Sequence, residues 1–283
     1  MTGIQTQPVG NLLRKWRERR RLSQLDLACE AEISTRHLSF LETGRSQPSR
    51  EMVLRLAEQL DVPLRERNTL LIAAGYAPAF PERPLADPAL QAARKAVDLV
   101  LTGHEPYPAL AIDRHWTLIA SNNAVAPLLA GAEPSLLQPP VNVLRLSLHP
   151  AGLAPRIANL AQWRSHLLVR LRRQVEVTAD PVLEELLREL CGYPMSEPTP
   201  EPMSSEDAGG ESGGNEEYAG VVVPFRLVTE QGILSFFSTT TIFGTPVDIT
   251  LSELALESFF PADAATAMVL RRFVGGQGKE PPA

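Results

Sequence analysis

From residue 9 to residue 75, apolar side chains recur at helical spacing in five short blocks. Leu12, Leu13 and Trp16 mark the first, and Leu27 with Ala28 the second, behind Ser23. Leu38 and Leu41 lie behind Ser34 in the third. The fourth follows Pro48-Ser49, where Val53, Leu56, Ala57 and Leu60 form an i, i+3, i+4, i+7 stripe. A serine ahead of such a block predicts a capped N-terminus, because its hydroxyl accepts from a backbone N–H that the helix leaves unpaired. Pro63 opens a fifth block, and Gly75 stands where a residue of positive φ would end it. The pattern predicts an all-α, five-helix domain over 1–76. The proline-rich "APAFPERPLADP" then predicts a linker at 77–88.

The pattern changes beyond the linker. "YPALAIDRHWTLIASN" holds two apolar runs broken by Asp113-Arg114-His115, a β-hairpin signature. Helical spacing returns at about Pro155–Glu176 and again at Pro181–Cys191. "GVVVPFRLV", "GILSFFSTTTIF" and "VDITLSELALESFF" read as three antiparallel strands. Helices and strands in this order predict an α+β domain with an antiparallel sheet over 89–273, followed by a flexible tail at 274–283.

Charge sharpens this division. The chain of 283 residues carries a net charge of −6, which argues against a uniformly basic nucleic-acid coat. Locally, residues 1–22 hold Arg14, Lys15, Arg17, Arg19, Arg20 and Arg21 against Glu18, as expected of a DNA-facing end. Residues 194–218 hold seven acids, no base and many Gly, Ser and Pro, a composition that predicts a disordered acidic insert. The only cysteines, Cys29 and Cys191, lack metal-ligand spacing and read as free, buried thiols of a reducing compartment. The sequence contains no apolar run of 18 residues and no apolar leader, so the expected location is cytoplasmic, without a membrane partner.

Two capped helices three residues apart suit DNA reading. One helix braces across phosphates while the next enters the major groove. Ala28 is small enough for the helices to cross closely. Gln24 opens the bracing helix, where its amide and nearby backbone N–H groups can face phosphate. With Leu38 and Leu41 inward, Thr35, Arg36, Ser39 and Phe40 face outward. Arg36 suits guanine O6 and N7, and Phe40 suits a thymine methyl. Arg45, past Gly44, lies where a loop meets the backbone. With the cap Ser34, the expected DNA-contacting set is Gln24, Ser34, Thr35, Arg36, Ser39, Phe40 and Arg45.

The motifs "LSQLDLA", "STRHLSFLETG" and "PSREMVLRLAEQLDVP" resemble the phage-repressor-type (Xre/Cro) helix-turn-helix family over about residues 9–75. The resemblance implies a lambda-repressor-like fold, a phosphate contact at Gln24 and base readers at Thr35, Arg36 and Phe40. One position departs from the family: Glu32 stands where the inter-helix turn usually has glycine. A non-glycine residue at positive φ costs roughly 1 kcal/mol.

The second half resembles the MmyB-like ligand-binding domain, on "HEPYPALAIDRHWTLIASNNAVAPLL", "NVLRLSLHPAGLAPRIANLAQWRSHLLVRLRRQ" and "DPVLEELLRELCGYP". That resemblance implies a PAS-like fold around a cavity and a small apolar ligand, fatty acyl compounds leading, with no other cofactor. Asn142, Arg145, His149, Arg156 and Asn159 lie among apolar residues and are candidates to orient a ligand head group. The same arginines equally suit helix caps or ion pairs. Trp116, Trp163 and Phe236-Phe237 suit either a pocket wall or the core.

"GESGG" matches a nucleophile-elbow pattern, but Ser212 falls in the acidic insert and not on a strand-to-helix turn. The expectation is therefore no enzyme and no metal. The sequence predicts a homodimeric, ligand-sensing transcriptional regulator on double-stranded DNA with an inverted-repeat operator. The alternative is a DNA-binding adaptor whose second domain only dimerises or docks a protein.

Overall fold

The computed structural model describes residues 7–194 and 223–275. Apart from Pro194, the acidic insert expected at 194–218 lies outside the described residues, as does the tail from 276. The chain forms two compact units. One takes the residues up to Pro84 together with Thr245–Ser252, and the other takes Leu85–Gly244 and Glu253 onward.

The first unit has the expected five helices: α1 (Val9–Arg19), α2 (Gln24–Glu30), α3 (Thr35–Glu42), α4 (Arg50–Gln59) and α5 (Leu64–Ala73). Ser23, Ser34 and Ser49 cap α2, α3 and α4 through their hydroxyls. At α2 the capping is reciprocal, since Asp26 also accepts from the Ser23 N–H. Gly75 follows α5 at φ +86°, as its place in the sequence predicts. Leu13, Leu27, Leu38 and the whole α4 stripe are buried. Glu32 adopts φ +54°, so the α2–α3 turn keeps the geometry that glycine normally supplies.

The second unit is built on a five-stranded antiparallel sheet in the order β2-β1-β5-β4-β3, the PAS-like α+β arrangement expected. Its elements in chain order are α6 (Gln91–Gly103), β1 (Ala109–Ile112), β2 (Leu118–Ser121), α7 (Val143–Leu148), α8 (Leu160–Thr178), α9 (Pro181–Cys191), β3 (Phe225–Thr229) and β4 (Gly232–Ile242). After β4 the chain enters the first unit as α10 (Ile249–Ser252), then returns as β5 (Ala255–Pro261) and α11 (Ala264–Gly275). Alternation divides the sheet faces. Ala109, Ala111 and Leu256 pack with Val97 and Leu101 of α6, while Phe225 and Phe236 join the core made by α7, α8 and α9.

Two elements and the placing of the cysteines differ from the sequence expectation: Cys29 and Cys191 are free but exposed, not buried. The helix expected from Pro155 begins at Leu160, because Ile157 bridges to Leu227 and the Ala158 N–H donates to the Arg226 carbonyl. "VDITLSELALESFF" is not one strand. Its first half forms α10, where the Asp248 carboxylate accepts from the Thr250 N–H and takes a hydrogen bond from Arg83. The Thr250 hydroxyl donates to the Arg83 carbonyl, and the Ile249 N–H to that of Pro81. Helices α6, α7 and α11 have no counterpart in the sequence reading.

Candidate functional site

Helix α3, which follows the α2–α3 turn, presents two faces. Leu38, Leu41 and Glu42 are buried, whereas Thr35, Arg36, Ser39 and Phe40 lie on the open face. Phe40 is sandwiched by cations: the Arg36 guanidinium lies 5.3 Å and that of Arg45 5.9 Å from its ring centroid. A partly exposed aromatic ring between two exposed arginines places one apolar contact amid two phosphate- or guanine-seeking groups. Gly44 at φ +72° turns the chain so that the Arg45 and Ser46 N–H groups both donate to the Phe40 carbonyl. Ser34 lies at the same N-terminal end, its hydroxyl oxygen occupied by the His37 N–H.

Glu42 fixes this helix from behind. Its carboxylate accepts from Arg17 Nε at 2.6 Å and Arg17 Nη2 at 2.9 Å, and from Gln24 Nε2 at 2.8 Å. One carboxylate thereby joins α1, α2 and α3. Gln24 stands at the start of α2 with one amide N–H committed to this network. Part of the basic cluster of residues 1–22 is used within the unit. Arg17 is buried, Arg14 pairs with Glu18, and Arg20 donates to the Leu60 and Asp61 carbonyls. The exposed cations of the open face are instead Arg36 and Arg45.

The second unit holds a cavity of about 110 Å³ between the sheet and α7, α8 and the β2–α7 segment. Leu110, Leu118, Leu128, Leu144, Trp163 and Phe225 represent its mostly apolar wall. A concave, mostly apolar wall with a few polar groups is the usual form of a small-molecule site. The polar wall is confined to Ser147, Ser238, Arg170 and Glu257. Ser147 accepts the Trp163 indole N–H at 3.0 Å.

Glu257 sits in the middle of β5, the central strand, between Leu110 of β1 and Thr240 of β4. It is 4% exposed and pairs with Arg170 from α8. The Thr240 hydroxyl donates to Glu257 at 3.0 Å and accepts from Arg170 at 3.0 Å, which closes a three-membered network. Arg170 also stacks 4.6 Å from the Trp116 ring. Trp116 itself adopts φ +65°, an uncommon conformation for a bulky side chain. Its indole N–H donates to Gln174 at 2.7 Å, and Gln174 donates to the Arg114 carbonyl. These bonds hold the strained residue against the cavity.

His166 stacks on Trp163, one turn before Arg170. Burial, with Arg170 acting in the same sense and Glu257 opposing, holds its imidazole below the ordinary pKa. The fold therefore favours the neutral ring. That contribution is complete above the ordinary imidazole range near pH 6.5 and is lost as pH falls through it toward the lowered value. Arg145 holds Glu189 below the ordinary carboxylate range, so that ion pair is lost only in stronger acid. We expect the melting temperature to drop between pH 7 and 5.5, and His166→Gln to flatten the drop. Identical slopes in both proteins would contradict this assignment.

Of the residues picked from sequence for a ligand or a pocket wall, Trp116, Trp163 and Phe236 line the cavity. Asn142, Arg145, His149, Arg156 and Asn159 are not among its lining residues and make bonds of their own. Asn142 caps α7, accepting from the Leu144 and Arg145 N–H groups. Arg145 pairs with Glu189 at 2.7 Å, and His149 Nδ1 accepts from the Ala151 N–H. Arg156 donates to the Leu128, Ala130 and Val228 carbonyls. Asn159 bonds both the Pro224 carbonyl and the Arg226 N–H. Sequence reasoning missed Arg170, Glu257, Ser147 and Ser238. On a helix or strand rich in alternation, Arg170 and Glu257 read as solvated positions.

The chain thus carries a helix-turn-helix unit and a cavity-bearing PAS-like unit. The chain belongs to the family of the MmyB-like transcription regulator ligand binding domain, whose model matches residues 93–273. A helix-turn-helix model matches residues 13–67. An HTH-type transcriptional regulatory protein of Methanoculleus marisnigri is 33% identical over 123 residues, 42% of this chain and 39% of that relative. The chain thus matches about two fifths of the relative's length. No described helix is long and apolar enough to cross a membrane.

Proposed function

We propose that the chain is a homodimeric regulator whose binding to an inverted-repeat operator responds to an apolar or acyl ligand in the second unit. The observation that carries this reading is the mostly apolar cavity on the same chain as a helix-turn-helix unit. On DNA, α3 enters the major groove, Arg36 pairs with guanine and Phe40 meets a thymine methyl. Arg45 and the N-terminus of α2 at Gln24 meet phosphates, with Ser34, Thr35 and Ser39 as further polar contacts. A single head of this size buries little DNA surface, which favours two heads on half-sites about one helical turn apart.

The chain path supplies a route for coupling. β4 and β5 carry Ser238, Glu257 and Phe259 of the cavity wall, and the eight-residue segment between them, Thr245–Ser252, belongs to the helix-turn-helix unit.

An operator selected from random duplexes tests the DNA half. Arg36→Ala should lose about 1–3 kcal/mol of specific binding and relax preference at one base. Arg45→Ala should weaken all sequences alike and reduce the salt slope by about 1. If both variants bind the operator like the parent, the docking geometry is wrong.

A further inference from the structure

We propose that the cavity selects uncharged apolar molecules and that Glu257 is the residue that rejects carboxylates. The inference rests on the reading that the cavity is the ligand site. Among the described residues, Arg170 and Glu257 are the only charged residues of its wall, and they neutralise each other. Glu257 is held on the rigid centre of the sheet, flanked by Leu110 and Thr240, with little access to solvent. Arg170 is oriented by Trp116 and by the Thr240 hydroxyl, so its guanidinium is directed at Glu257. His166, the neighbouring titratable group on α8, is kept toward its neutral form and adds little positive charge near pH 7.5.

A carboxylate entering this space would therefore make a neutral site negative. Two carboxylates sharing a site of low dielectric cannot both ionise without cost, so one takes a proton. A fatty acid then binds in its protonated form, whereas an alcohol of the same length binds without that penalty. The alcohol also offers a hydroxyl donor that matches Glu257, Ser147 and Ser238.

The test uses the full chain with 1-decanol and decanoate, each displacing the neutral fluorophore N-phenyl-1-naphthylamine. At pH 7.5 decanol should bind at least tenfold more tightly than decanoate. Between pH 6.5 and 8.5 decanoate affinity should fall about tenfold per pH unit while decanol stays level. This pH arm needs no substitution. Glu257→Gln leaves Arg170 without its counter-ion and should raise decanoate affinity at least tenfold, reversing the preference. Equal binding of both compounds by the parent, or a pH-independent decanoate affinity, overturns the proposal alone. Binding of neither compound by folded parent protein overturns the cavity as the ligand site, and the proposal with it.

Discussion

Glu42→Ala is expected to destabilise the helix-turn-helix unit by about 3–5 kcal/mol, the range for removing one partner of a buried ion pair. Glu42 is 4% exposed and Arg17 is 8% exposed. Without the carboxylate, the Arg17 guanidinium keeps only its bond to the Leu22 carbonyl and remains enclosed as an unpaired charge. Gln24 loses its partner in the same step. A typical domain has only about 5–15 kcal/mol in total, so this loss is a large share. Glu42→Gln, which retains the shape and one acceptor, should cost less than Glu42→Ala. Denaturant unfolding followed by the Trp16 signal measures both. A loss below 1 kcal/mol for Glu42→Ala would mean that Arg17 finds water or another partner, and that the pair does not hold α3 in place.

Gly10→Ala should also be strongly destabilising, although alanine is the better helix former by about 1 kcal/mol at an open site. Gly10 is buried where α1 crosses α3, and a Cβ there would lie 2.3 Å from the Leu41 carbonyl oxygen and 2.7 Å from that of Glu42. Both are backbone atoms that cannot rotate away. The helices must separate, and overpacking of this kind costs about 1–3 kcal/mol or more. Because α3 carries the proposed reading face, operator affinity should fall beyond the loss of folded protein. Unfolding midpoints with operator titration of the folded fraction check this. A Gly10→Ala protein as stable as its parent would show that the crossing tolerates a methyl group.

The first unit was legible because its signals are local. A serine cap, an apolar stripe and a glycine end each depend on neighbours within one or two turns, and Ser23, Ser34, Ser49 and Gly75 all take the expected roles. The arginines of α1 show the limit of charge counting, since Arg17 and Arg20 serve the fold through partners 25 and 40 residues away. In the second unit the hairpin around Asp113 and the helix at Pro181 were equally local. The cavity was not. Arg170 and Glu257 lie 87 residues apart, and Glu257 faces inward only because β5 is central and α8 supplies a cation. Conversely, Arg145 and Arg156 stood out among apolar neighbours, yet they bond Glu189 and backbone carbonyls. Mixed polarity along a sequence does not distinguish a ligand contact from a tie within the fold. The excursion at 245–252 was hidden for a similar reason. "VDITL" has strand-like β-branched residues, but Asp248 and Thr250 meet Arg83, which the sequence places 165 residues earlier.

The most direct test of the central claim measures the operator affinity of the full chain with the cavity empty and with it saturated by 1-decanol, saturation being followed by loss of the naphthylamine signal. A ligand shifts DNA binding only by its differential affinity for the two states, and couplings of this kind are typically about 1–3 kcal/mol, or about 5–150-fold. We predict a change of at least fivefold in operator affinity, abolished by a bulky substitution that fills the cavity such as Ser238→Phe. An operator affinity that stays the same while the cavity passes from empty to full would contradict ligand control.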